Sequence, residues 1–348
     1  MALDPIVEER ILTSLHHRQG DRVPIWDYLD NRAIFEHFNP DGADFDQGMV
    51  KVYHELGIDL CRGYGASYSE AQEGESSENS LVSGRTNWAT RYPIESLADL
   101  GDYEPRLPTD ESLGGWLAGI RRQQEAFEPY TMYVPGGGCG FHDTYGLMGV
   151  GLFSLAIYDA RDDLERVLWG MNQASVKYAQ AAAEARLCPI FFIGDDIAYK
   201  GTTLFSPQFL RETFVECLRR TTEPVKNAGM KVIFHSDGNV MPVLDDMIDA
   251  GIDGLNPIEP IAGMDIGFLK RRYGNHLVLV GNVDCSQVLP LGTRQEVIEA
   301  TKECIRRASP GGGHFIGSSS EIVPSTPVEN ILAFYETARQ YGRYPICV

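Results

Sequence analysis

Eight short, mainly apolar runs recur along the 348-residue chain, and each gives way at once to glycine, proline or polar residues. They are Val23-Pro24-Ile25-Trp26, Ile58-Asp59-Leu60-Cys61, Thr131-Met132-Tyr133-Val134, Ile190-Phe191-Phe192-Ile193, Val232-Ile233-Phe234, Ile252-Asp253-Gly254-Leu255-Asn256, Leu277-Val278-Leu279-Val280 and His314-Phe315-Ile316-Gly317. Runs this short, rich in β-branched and aromatic residues, read as strands covered on both faces, the habit of a parallel sheet. Between them lie stretches with apolar residues at helical spacing, among them Val7 to His17, Asp163 to Ala185, Ser206 to Ala228, Asp265 to Tyr273 and Thr293 to Ala308. Eight strand–helix units are what a closed (β/α)8 TIM barrel requires.

The expected fold class is therefore α/β: a TIM barrel with an N-terminal helical extension and a β-hairpin insertion after strand 2. The insertion is placed at residues 65–93, where Ser80 to Ser83 and Thr86 to Ala89 flank Gly84-Arg85. No proline- or serine-rich tether, low-complexity tract or internal repeat divides the chain, so residues 1–348 read as one domain.

Composition bears on partners. A formal charge of -19 argues against a phosphate backbone as ligand, because nucleic-acid binding needs clustered Lys and Arg. Met1 to Arg10 lacks the apolar core of a signal peptide, and no apolar run is long enough to span a bilayer. A cytoplasmic protein with neither nucleic-acid nor membrane partner is expected. Seven scattered cysteines without a C-x-x-C pair read as reduced thiols. Trp116, Trp169, Tyr341 and Tyr344 suit a homodimer interface as well as a core.

In a parallel barrel the C-terminal strand ends share one rim, where catalytic groups collect. Lys231 to Phe234 runs straight into His235-Ser236-Asp237-Gly238, presenting an imidazole and a carboxylate at the turn. The same edge should carry Asp195, Asp196, Glu259, Asn282, Asp284, Ser320 and Glu321. Singly, each has a structural alternative, since Asp and Asn cap helices and a lone His is more often hydrogen-bonded than metal-bound. Pro135-Gly136-Gly137-Gly138-Cys139-Gly140 lacks the Lys-Ser/Thr of a P-loop, and reads as a flexible loop beside a ligand, with His142 and Asp143 at hand.

These motifs carry a family resemblance. Gly194-Asp195-Asp196, Ser206-Pro207, His235-Ser236-Asp237-Gly238, Gly281-Asn282-Val283-Asp284, Gly311-Gly312-Gly313 and the stretch Pro324 to Asn330 resemble the uroporphyrinogen decarboxylase superfamily, which includes corrinoid-dependent methyltransferases. The resemblance implies the barrel and leaves the reaction open. The true decarboxylase has an N-terminal R-Q-A-G-R segment for substrate carboxylates and a His after the last strand. Here His17-Arg18-Gln19-Gly20-Asp21-Arg22 and Ser320 stand at the corresponding places. The methyltransferase branch presents H-x-C and a final G-C-G as zinc ligands, where this chain offers His235-Ser236-Asp237 and Ser320-Glu321. Oxygen in place of thiolate favours Lewis-acid chemistry on an oxygen-containing substrate.

On that resemblance the chain is expected to move a methyl group between a small O- or N-methylated compound, or small acceptor, and the cobalamin of a separate corrinoid protein. His235, Asp237 and Glu321 are the expected zinc ligands, with a metal-free acid/base site as the alternative. Glu259 or Asp196 is assigned to proton transfer, Asn282 to substrate orientation, and His142, Asp195, Asp284 and Ser320 to substrate binding. Two other readings stay open: a cofactor-independent decarboxylase of a small or tetrapyrrole acid, with Arg22, Arg62 or Lys200 as carboxylate clamps, and a non-catalytic tetrapyrrole-binding barrel.

Overall fold

A computed structural model describes residues 3–65 and 91–348, together with the backbone of strands Ser76–Ser77, Ser80–Ser83 and Thr86–Ala89. Six parallel strands form a continuous sheet: Gly136–Gly137, Ile190–Gly194, Lys231–His235, Gly254–Asn256, Val278–Val280 and His314–Phe315, each bonded to the next. The first two barrel strands are shorter still. Ile25 bridges Ile316 and Trp26 bridges Leu60, while Leu60–Cys61 pairs in parallel with Met132–Tyr133, which runs on into Gly136–Gly137. The last strand is thereby joined back to the first through the Trp26 N–H to Ile316 O and Ile316 N–H to Pro24 O bonds, and the expected barrel closes.

Closure sorts the side chains by parity, since successive strand residues face opposite sides. Trp26, Leu60, Met132, Val134, Ile190, Phe192, Ile233, Val278, Val280 and Phe315 pack together inside the barrel. Phe191, Ile193, Val232, Phe234, Leu255 and Leu279 face outward into the layer beneath the helices. The N-terminal helix Pro5–Leu15, capped by Asp4 with Pro5 in its first turn, adds Val7, Ile11 and Leu15 to the inner cluster and so plugs the barrel floor.

Helix boundaries follow local chemistry. Ser206 caps Pro207–Glu212, and the expected single helix through Ala228 instead breaks at Thr213 before Phe214–Asn227. The Thr213 hydroxyl, bonded to Phe209 O, competes with the backbone ladder there. Thr293 and Glu296 form a capping box that starts Arg294–Ala308. Ser80–Ser83 and Thr86–Ala89 pair antiparallel as expected, with Ser76–Ser77 added as a third strand; the Gly84-Arg85 turn lies outside the described residues.

Two expectations are corrected. The glycine run is a fixed element: Gly136–Gly137 is itself barrel strand, and the N–H groups of Cys139 and His142 donate to the Asp195 carboxylate. Cys139 in the run and His142 just after it thus spend their N–H groups on a carboxylate of the chain itself. Arg22, considered as a carboxylate clamp, donates to Asp59 at 2.7 Å, which also binds Arg10 at 2.6 Å and the Ile25 N–H. Asp59 precedes the second strand, so this buried network lies at the end of the barrel opposite His235.

Candidate active site

Inward parity continues past the hydrophobic layer. Two residues beyond Ile233 comes His235, two beyond Gly254 comes Asn256, and two beyond Leu60 comes Arg62. His235 Nδ1 lies 2.6 Å from Asn256 Oδ1. An amide oxygen only accepts, so Nδ1 carries the proton and the Nε2 lone pair faces away from Asn256. Burial holds the imidazole below the usual histidine range, outweighing the neighbouring Asp196 charge, and keeps it neutral.

Nε2 faces two carboxylates, Asp237 Oδ1 at 3.8 Å and Asp196 Oδ1 at 3.9 Å. These separations are too long for hydrogen bonds. They lie near the ligand–ligand spacing of roughly 3.3–3.5 Å that metal bonds of about 2.1 Å produce. One ligand atom each from Asp196, His235 and Asp237 falls within 4.8 Å of the others. Asp237 Oδ1 is buried without a hydrogen-bond partner, which is costly unless a cation or ligand proton completes it. Asp196 is oriented by the Asp237 N–H, 3.0 Å from its Oδ1. A neutral imidazole with its far nitrogen held by an amide, plus two carboxylates, fits a divalent ion of zinc type.

The turn holding this group depends on Gly238. Its φ is +85°, and a Cβ there would come within 2.4 Å of the Tyr199 backbone. Its N–H donates to Glu259 Oε2 at 2.6 Å. Burial, then the Asp237 charge, pushes Glu259 up, against the pull of that bond. Asp237 is pushed up to about 6 by burial and then by Asp196, with Ser320 and Arg62 pulling the other way. Burial and the Asp30 charge also raise Glu321.

The predicted residues divide into three groups. Asp196, His235 and Asp237 converge, and Glu259 and Ser320 adjoin them. Glu321 is close enough for its charge to act on Asp237 and Arg62, but it is not in the ligand group. His142 stands beside the group: its ring stacks on Tyr145, its Nδ1 accepts the Asp196 N–H at 3.3 Å, and its side chain is 44% exposed.

Asp195, Asn282 and Asp284 are directed elsewhere. Asp195 is fully buried and held by the glycine-run N–H groups, burial pushing it up to about 6. The Asn282 amide donates to Ile258 O, and Asp284 Oδ1 accepts the Ser286 and Gln287 N–H groups as a turn cap. Sequence reasoning left Asn256, which sets the His235 tautomer, out of the site, and named Arg62 only as a carboxylate clamp of the decarboxylase reading. Alternation from Gly254 and Leu60 is the signal that would have found both.

The family described as uroporphyrinogen decarboxylase (URO-D) matches residues 79–341. Methylcobamide:CoM methyltransferase MtaA of Methanosarcina barkeri is 29% identical over 180 residues, covering 52% of this chain and 50% of its own. A uroporphyrinogen decarboxylase of Coxiella burnetii is 31% identical over 196 residues, 53% of this chain and 50% of its own. The chain thus spans about half the length of the curated relatives it matches. A solved structure of a methyltransferase from Methanosarcina mazei overlays with a TM-score of 0.71 at 23% identity, covering 96% of this chain and 98% of that one, a likeness of fold. Among the described residues no helix is long and apolar enough to cross a membrane.

Proposed function

The chain belongs to the uroporphyrinogen decarboxylase family, and from that premise we propose that it is a methyltransferase. It moves a methyl group between a small O- or N-methylated compound and the cobalamin of a separate corrinoid protein. The observation that carries this reading is the convergence of His235 Nε2, Asp196 and Asp237 at an open rim, the carboxylate side chains being 36% and 46% exposed. Part-matching relatives named as methylcobamide:CoM methyltransferases support the reaction class.

Asp196, His235 and Asp237 would hold the metal, zinc in the simplest case, and it would supply Lewis-acid polarisation of a substrate oxygen or nitrogen. The chain's own residues do the rest. Asn256 holds His235 in one tautomer, and the Asp237 N–H fixes Asp196. Glu259, whose N–H partner at Gly238 places it beside Asp237 and whose carboxyl burial raises, is the group assigned to proton transfer. When the C–O bond of a methyl ether breaks, the methyl carbon passes to the acceptor's electron pair, and the bond pair left on oxygen takes a proton from Glu259. A decarboxylase of a tetrapyrrole acid is disfavoured, because Arg22 is tied to Asp59 far from the rim.

The test is to incubate the purified protein, with zinc added, with methoxylated and N-methylated donors and chemically reduced cobalamin. Methylation is followed in the visible spectrum. Donor-dependent methylation, lost in His235→Ala, supports the reading. Carbon dioxide release from an acid substrate without cobalamin, or tight porphyrin binding without turnover, would replace it with one of the two alternatives.

A further inference from the structure

Arg62 stands on the same inward register as His235, and it is half-buried. Its guanidinium lies 4.5 Å from the centroid of Tyr28 and 5.4 Å from that of Phe192, whose ring is 5.5 Å from the His235 ring. Its charge acts on His235, Asp237 and Glu321, so it faces the candidate site. Yet among the described residues no carboxylate pairs with it and no oxygen accepts from it, although the buried arginines of the barrel floor, Arg10 and Arg22, are both fully engaged. A guanidinium held against two aromatic rings, which offer it no hydrogen-bond acceptor in the ring plane, keeps N–H groups for another partner. A planar carboxylate meets such groups with two parallel bonds.

We infer that the substrate carries a carboxylate, and that Arg62 binds it while the methyl-bearing atom lies toward His235 and Asp237. This rests on the methyl-transfer reading of that site and narrows its substrate to methylated acids. A neutral or cationic substrate would leave the Arg62 guanidinium without an anionic partner, and a methylated acid supplies one. Trp26 and Phe192, with ring centroids 6.0 Å apart, close the barrel beneath Arg62 with an apolar floor.

Calorimetric titration with 4-methoxybenzoate and with methoxyacetate, each against its neutral amide, tests this directly. At least one acid is expected to bind at least tenfold tighter than its amide. Arg62→Gln should weaken the acid by about 10–100-fold, as loss of a charge-assisted bidentate pair implies, and leave the amide unchanged. Arg62→Lys, which keeps charge and loses the fork, should fall between them, and thermal melting of each variant checks that it folds. Failure of both acids to bind, equal binding of acid and amide, or full acid affinity in Arg62→Gln overturns the inference. Methyl transfer from the amide at the acid's rate, undiminished in Arg62→Gln, would also overturn it and leave the methyl-transfer reading standing. Arg62-dependent acid binding without methyl transfer to cobalamin would do the reverse.

Discussion

Replacing Asn256 by Leu tests the geometry on which the site depends. Asn256 Oδ1 sits 2.6 Å from His235 Nδ1, at the mouth end of a barrel whose layer just below is hydrocarbon. With the acceptor gone, the imidazole loses both its orientation and the preference for the Nδ1–H tautomer that turns the Nε2 lone pair toward Asp196 and Asp237. Loss of such an outer partner typically lowers metal affinity 10–100-fold, about 1.4–2.8 kcal/mol. The same change strands a largely buried N–H, which costs roughly 1–3 kcal/mol of stability. The two effects separate in measurement. Zinc affinity is read by competition with a chromophoric chelator, and stability by denaturant titration. Asn256→Asp, which restores an acceptor, should recover affinity. If the wild-type protein holds no zinc, the metal site is wrong; if the Leu variant binds zinc within twofold of wild type while losing stability, Asn256 is merely structural.

Asp196→Asn and Asp237→Asn should each abolish stoichiometric zinc in elemental analysis, whereas Glu321→Gln should keep it, because Glu321 stands outside the ligand group. Buried His314 is held neutral between Ser309 Oγ and Gly281 O, and burial lowers it to about 3. With a folded value below the unfolded 6.5, its contribution is present above pH 6.5 and lost as pH falls toward 3. The difference is roughly 3–5 kcal/mol, so His314→Gln should flatten the acid limb of stability measured by urea titration across pH. Asp59→Ala removes the carboxylate shared by Arg10 and Arg22, leaving Arg10 its pair with Asp21 and Arg22 without a carboxylate partner. It should cost about 3–5 kcal/mol in unfolding free energy and leave zinc affinity of the folded protein unchanged; a loss below 1 kcal/mol would mean that water replaces the pair.

The barrel was readable because its signals are local. Three- to five-residue apolar runs ending at glycine or a carboxylate name the strands, and Thr293 with Glu296 names a helix start. Local signals also misled. The glycine run read as a loop because nothing nearby reveals that the Cys139 N–H, with that of His142 after it, meets Asp195, more than fifty residues away. Asp195 and Asp196 are neighbours in the chain, yet strand parity buries the first and presents the second.

Strand parity in the sequence determines which side chains can enter the barrel, and that rule, applied from Ile233, Gly254 and Leu60, is enough to send His235, Asn256 and Arg62 to its mouth. Which of them touch was decided only by closure. Ring joining brings Ile25 to Ile316 and Trp26 to Leu60, and the register between strands then selects Asp196, rather than Glu321, as the second carboxylate facing Nε2. That choice turns on offsets of a few ångströms between strands far apart in the chain. Alternation along one strand contains no information about where its neighbour's residues fall.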